Sequence, residues 1–149
     1  MRHALCVILA LSTLAACGSR RASPRPLTEF LTPYGAPTRP FSPAVRVGNL
    51  LFLSGQIGVT STGALVPGGI GPETRQALDN IRDVLQRTGS SMERVVKCTV
   101  MLADMREWDA MNIVYASYFP GNKPARSSFG ATGLALGARV EIECLATVD

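Results

Sequence analysis

The sequence predicts an α+β fold: a single mixed sheet with two helices on one face. Three observations predict it. Val95–Leu102, "VVKCTVML", and Val140–Val148, "VEIECLATV", are β-branched and apolar. Gly71–Gly89 and the stretch from Asp104 to Phe119 carry apolar residues at helical spacing. The order is strands, helix, strand, helix, strands, and one sheet covered on one side satisfies it.

The elements follow in order. Val45–Ser54, "VRVGNLLFLS", reads as a hairpin turning at Gly48-Asn49. "GQIGV" extends its second strand, and "TSTGALVPGG" is a loop. In the first helix Ala77, Ile81, Val84, Leu85 and Thr88 recur on one side, Pro72 suits the first turn and Gly89 closes it. Val95–Leu102 is near-continuously apolar, as a central strand is. Asp104 and Glu107 have capping-box spacing ahead of the second helix, where Trp108, Met111, Tyr115 and Tyr118 form a stripe. After "PGNKP" a strand resumes over Arg126–Ala131, and "GLALG" turns the chain. In the last strand Val140, Ile142, Cys144 and Ala146 share one face; Glu141, Glu143, Leu145 and Thr147 share the other. The uncovered sheet face calls for another subunit, and closed oligomerisation supplies one.

The chain has 149 residues, the size of one domain. Its formal charge is +4. Before Phe41 there are five arginines, Arg2, Arg20, Arg21, Arg25 and Arg39, against Glu29 alone. From Phe41 onward ten basic residues face ten acidic ones. A near-neutral core argues against a nucleic-acid binder built on a basic face.

The start has leader character. Arg2 and His3 precede the apolar run Ala4–Leu11, and small residues follow up to Cys17. That run is too short to span a bilayer. "LAAC" at Leu14–Cys17 resembles the lipobox of bacterial lipoproteins. This resemblance implies a signal peptide over residues 1–16, lipidation of Cys17 and attachment to a membrane. No aspartate follows Cys17 to favour inner-membrane retention, so the expected location is the cell envelope, on the periplasmic face of the outer membrane. The alternative is a cytoplasmic protein with a misassigned start. Residues 17–39 read as a flexible tether, with five prolines between Arg20 and Pro40. The folded domain is expected over residues 40–149. Of the later cysteines, Cys98 and Cys144, buried thiols are the default expectation, with a disulfide open in an oxidising compartment. Their spacing matches no metal motif, and His3 is the only histidine.

Four stretches together resemble the RidA (YjgF) family of small enamine/imine deaminases. They are "GNLLFLSGQIGV" (Gly48–Val59), "ALDNIRDVLQRTGSSMERVVKCTVMLADM" (Ala77–Met105), "NIVYASYF" (Asn112–Phe119) and "PARSSFGATGLALGARVEIECLA" (Pro124–Ala146). The resemblance implies a homotrimer with a chorismate-mutase-like barrel core, active sites in clefts between subunits, and no metal or organic cofactor. It implies that Arg126 holds a substrate carboxylate and that Glu141 positions or activates water. Ser54 and Gly55, Asn112 and Ser128 would line the pocket. Ser128 stands where some relatives have cysteine, which removes a thiol role. Phe41 stands where the family often has tyrosine, so the ring is kept and its hydroxyl is lost.

The residues support part of this on their own. An arginine presents N–H donors in a rigid fork that grips a carboxylate by two parallel bonds, which lysine cannot reproduce. Pro124 stiffens the approach to Arg126. The competing reading of Arg126 is a structural ion pair or a solvated charge. A carboxylate within an apolar strand costs desolvation energy unless it is paired or used. Periodicity does not choose between Glu141 and Glu143; the resemblance selects Glu141. The expected reaction is hydrolysis of a small 2-imino acid to a 2-keto acid and ammonia. The alternative function is a non-catalytic protein of the cell envelope that binds a small carboxylate or other metabolite. A nuclease reading finds neither basic face, histidine nor metal cluster in the core.

Overall fold

A computed structural model describes residues 27–36 and 38–149. Cys17, the leader and the first part of the proposed tether lie outside them. The strands are β1 (Thr28–Leu31), β2 (Ala44–Val47), β3 (Leu50–Leu53), β4 (Gln56–Ile57), β5 (Val95–Leu102), β6 (Ala125–Gly130) and β7 (Val140–Thr147). The helices are α1 (Ile70–Arg87) and α2 (Trp108–Ser117), with short 3-10 turns at Met92–Arg94, Met105–Glu107 and Ala135–Gly137.

One seven-stranded sheet runs β1-β2-β3-β7-β5-β6, with β4 continuing the β3 side of β7. Only β5 and β6 pair in parallel, and α2 makes the crossover that parallel pairing requires. The sheet is thus mixed, as expected. The β2–β3 hairpin turns where the sequence places it: Gly48 takes φ 60, as the first central position of a primed hairpin turn demands.

Strand β1 corrects the tether. Thr28–Leu31 pairs with Val47–Ala44, so part of the proline-rich segment belongs to the sheet. It is a short edge strand, exposed along most of its length, with Phe30 turned to solvent. The proline signal is real, but the prolines flank "TEFL" and leave its backbone free to pair.

Helix α1 covers one sheet face. Thr74, Ala77, Leu78, Ile81, Val84 and Leu85 are buried against Val140, Ile142, Cys144 and Ala146 of β7, Cys98, Val100 and Leu102 of β5, and Leu51. It ends in a Schellman motif: Ser90 N–H donates to Leu85 O and Gly89 N–H to Gln86 O, with Gly89 at φ 82. At the start, Glu73 turns inward instead of facing water. Its carboxylate accepts from Arg139 N–H at 2.8 Å.

The capping box ahead of α2 forms only in part. Asp104 accepts from Arg106 N–H, and the Glu107 carboxylate reaches Arg139 at 2.5 Å instead of returning to the cap. Arg139 thereby ties the end of the β6–β7 connection to the starts of both helices. The second-helix stripe also divides: Met111 and Tyr115 are buried, whereas Tyr118 donates to Asp79 of α1 at 2.5 Å.

The default of buried thiols gives way to a disulfide. Cys98 and Cys144 are Cα partners across β5 and β7, 4.1 Å apart, fully buried and joined. The alternation alone puts both on the inner face; the β5–β7 register puts them opposite each other. Peptide mapping without reduction is expected to recover Cys98 and Cys144 as one linked pair, and alkylation of both thiols in that experiment would contradict the bond. Replacing both by alanine should lower unfolding stability by about 2–4 kcal/mol in denaturant titration.

Candidate functional site

Arg126 lies on the edge strand β6, as the Cα partner of Cys98. It therefore shares the helix-covered face with Cys98 and Cys144. Its guanidinium carbon lies 4.9 Å from the Trp108 ring centroid and 4.6 Å from that of Tyr115. Among the described residues it makes no hydrogen bond or ion pair. Other arginines of the domain are occupied: Arg82, Arg87, Arg94, Arg106 and Arg139 all sit on carboxylates. The structural ion pair that competed for Arg126 is absent from the described chain.

Ser128 follows two residues on and faces the same way, opposite Val100. Its Oγ is buried with no partner, as is the Tyr115 hydroxyl. Asn112 lies between Trp108 and Tyr115 at helical positions i, i+4 and i+7, so the three project toward one side of α2. Arg126 and Ser128 thus share one strand face, and Asn112 lies on the side of α2 that carries Trp108 and Tyr115. Trp108 and Tyr115, two members of the helical stripe, also pack on the Arg126 guanidinium; Tyr115 is part of the buried core and Trp108 lies against it.

Glu141 belongs elsewhere. It is the partner of Met101, which in turn pairs with Phe129, on the face that the helices leave open. Gly55 lies directly against it: a Cβ on Gly55 would come within 2.0 Å of Glu141 Oε1. Ser54 is adjacent, but its hydroxyl donates to Ser42 O at 2.7 Å and its N–H donates to Pro43 O. Ser54 therefore anchors the segment that carries Phe41 and does not offer a free hydroxyl. The Phe41 ring is 47 % exposed, 5.9 Å from the Arg39 guanidinium. It borders a cleft of about 960 Å³ with Tyr34, Gln56 and Asn80, a cleft that neither Arg126 nor Glu141 lines.

Arg126 and Glu141, read from sequence as partners, stand on opposite faces of the sheet. Within one chain the predicted residues do not converge: one group surrounds Arg126, another surrounds Glu141, and Phe41 borders a separate cleft. The open face around Glu141 also presents Leu50, Phe52, Val96 and Phe129, each more than a third exposed.

The family model described as endoribonuclease L-PSP matches residues 33–148. The chain belongs to that family, the RidA (YjgF) family. Mouse (Mus musculus) 2-iminobutanoate/2-iminopropanoate deaminase is 44% identical over 108 residues, covering 72% of this chain and 80% of the mouse protein. The chloroplastic Reactive Intermediate Deaminase A of Arabidopsis thaliana is 42% identical over 110 residues, 73% of this chain and 59% of that one. Among solved structures, YyfA of the Rid family from Yersinia pestis superposes with a TM-score of 0.76 at 36% identity, covering 82% of this chain and all of that one. The single mixed sheet with two helices is therefore the fold of the RidA family, and the α+β expectation holds.

Replacing Gly55 by alanine should leave the fold intact, because the atom that must move is the end of a flexible side chain. It should displace the Glu141 carboxylate and lower turnover of a 2-imino acid at least ten-fold, by analogy with the loss of a positioned acid–base group. Normal turnover by a folded Gly55→Ala protein would remove Glu141 from the chemistry.

Burial pushes Tyr115 up to about 12, against an Arg126 charge that pulls it down. Burial, then a hydrogen bond to Asp79, pushes Tyr118 up to about 12. Tyr34 rises likewise, by burial and the Asp83 bond, although at 57 % exposure it should move least. The folded chain holds these protons longer than the unfolded chain. Their contribution to stability is therefore complete below the ordinary phenol value of 10.0 and is lost as pH rises through about 12. Absorbance titration should show little phenolate at pH 10 in native protein and about half in unfolded protein.

Proposed function

We propose that the chain hydrolyses small 2-imino acids, and their enamine tautomers, to 2-keto acids and ammonia. The observation that carries this reading is the Arg126 guanidinium, held on a strand edge between two rings with no anionic partner in the described chain. A carboxylate is the group its fork fits best. The deaminase names of the relatives supply the reaction class.

In this reading Arg126 binds the carboxylate and holds the imine carbon in place. Glu141 accepts a proton from a water molecule as the water oxygen bonds to the imine carbon, and passes that proton to the imine nitrogen. The resulting carbinolamine collapses: its hydroxyl proton passes through Glu141 to the amine, the C–N bond breaks, ammonia leaves and the hydroxyl oxygen becomes the ketone. Such imines already hydrolyse in water, so positioning and proton transfer through Glu141 account for the acceleration. Ser128 and Asn112 face the bound carboxylate end, and the Phe41 ring contributes stacking without a hydroxyl.

The two half-sites meet only if chains associate. We place Glu141 and Gly55 of one copy against the Arg126 cluster of a neighbour, in a closed homotrimer that covers the open sheet face. Burying the apolar side chains of that face drives the association.

The test is an imine generated in place by an amino-acid oxidase, followed with and without the full chain. Accelerated decay is expected, with Arg126→Ala and Glu141→Gln both strongly impaired. No acceleration over buffer sinks the reading. Pyruvate bound tightly without any turnover replaces it with a binding protein. Mixed and reassociated Arg126→Ala and Glu141→Gln chains should regain about a quarter of the sites, because random assembly pairs the intact halves at that frequency. No recovery on mixing would place both residues within one subunit's site.

A further inference from the structure

We propose that Trp108 and Tyr115 are positioning residues for Arg126: their ring faces hold the guanidinium from both sides and leave its N–H edge open to substrate. The inference rests on the reading of Arg126 as a carboxylate clamp.

The geometry is specific. Trp108 and Tyr115 are separated by two turns of α2, on the order of 10 Å of rise. The guanidinium carbon lies 4.9 Å from one centroid and 4.6 Å from the other, so it fills the gap between the rings. Tyr115 is itself fixed: it is 6 % exposed, and its ring packs at 4.9 Å on Phe119. Phe119 is buried and its carbonyl accepts from Lys123 Nζ, just ahead of Pro124 and β6. The result is a line of contacts from Trp108 through Arg126 and Tyr115 to Phe119, whose ring is tilted at 42° to that of Tyr115.

Stacking suits this task for an electrostatic reason. A ring face attracts a cation through its quadrupole and does not engage the N–H donors in the guanidinium plane. A carboxylate neighbour would hold Arg126 as firmly but would fill the fork. Asp104 does this to Arg106, with bonds to both Nε and Nη2. Arg126 instead keeps its charge, its orientation and its donors. The stack also removes rotamer freedom before substrate arrives, which lowers the entropic cost of binding. The Tyr115 hydroxyl contributes nothing to this hold, since it has no partner among the described residues.

The experiment reads the stack directly and then its effect. In the full chain, the Arg126 Nε–H resonance is identified by its loss in Arg126→Lys. It should lie upfield of the other arginine signals, shifted by the two ring currents, in the absence of any ligand. Trp108→Leu should return it toward the others, and Trp108→Phe should keep it shifted. Pyruvate, the expected product, is then titrated. Trp108→Leu should weaken its binding and raise KM for the imine about ten-fold with kcat retained, while Trp108→Phe stays within about two-fold of the native protein. Tyr115→Phe keeps the ring face and should bind pyruvate as the native protein does; a ten-fold loss there assigns the hold to the hydroxyl and overturns the stacking account. An unshifted Arg126 signal in the native protein overturns it too, even if Trp108→Leu does not fold. Equal pyruvate affinity in native and Trp108→Leu proteins sinks the positioning role alone. A native protein with the shifted signal that fails to bind pyruvate sinks the clamp reading, and this inference with it.

Discussion

Strand β7 pairs on both edges, with β3 and β4 on one side and β5 on the other. Its two-residue period therefore fixes what both faces of the sheet can hold. Val140, Ile142, Cys144 and Ala146 form the floor on which α1 packs. Were the register slipped by one residue, Glu141 and Glu143 would enter the core without partners and that apolar set would face outward. The same strand thus builds the core with one set of residues and offers a carboxylate on the opposite face with the other. Gly55 leaves room for that carboxylate because it adds no side chain beside it.

The Arg126 cluster depends on a different unit. β5, α2 and β6 form a single crossover, and β6 receives only the edge of β5. Arg126 is consequently fixed by local chain: its rung passes through the Cys98–Cys144 bond, and its side chain rests on the helix that leads into its own strand. Aromatic residues do here what carboxylates do for most arginines of the domain. That difference in partner separates an arginine of the fold from an arginine available for binding.

Much of the fold is legible in the sequence, because the long elements carry unambiguous periods. The alternation "VEIECLATV" gives both faces of β7, and the spacing from Ala77 to Leu85 gives the buried side of α1. Less legible are features set by pairing across distance. Thr28–Leu31 has no pattern strong enough to outweigh the surrounding prolines, and it is a strand only because β2 offers an edge. The Cys98–Cys144 bond needs the β5–β7 register, which no local signal contains. The capping box is readable at Asp104, but Arg139, thirty-two residues away, takes Glu107 from it. At the site, residue types and contexts point to Arg126 and Glu141. Their opposite facing follows only once the rung Cys144–Cys98–Arg126 is set beside the rung Glu141–Met101–Phe129. Trp108 and Tyr115 are legible only as members of a helical stripe, because an aromatic at helical spacing has the same signature whether it fills a core or stacks on a cation.

The two-faced placement of the half-sites has a consequence for how such an enzyme is switched on. In the proposed assembly, folding alone would leave Arg126 and Glu141 apart, and completing the site would be a matter of mass action. Below the dissociation constant of that assembly well-folded chains would be silent; above it, each contact would close a site. Activity per chain would then depend on protein concentration, so dilution becomes an inhibitor that competes with no substrate.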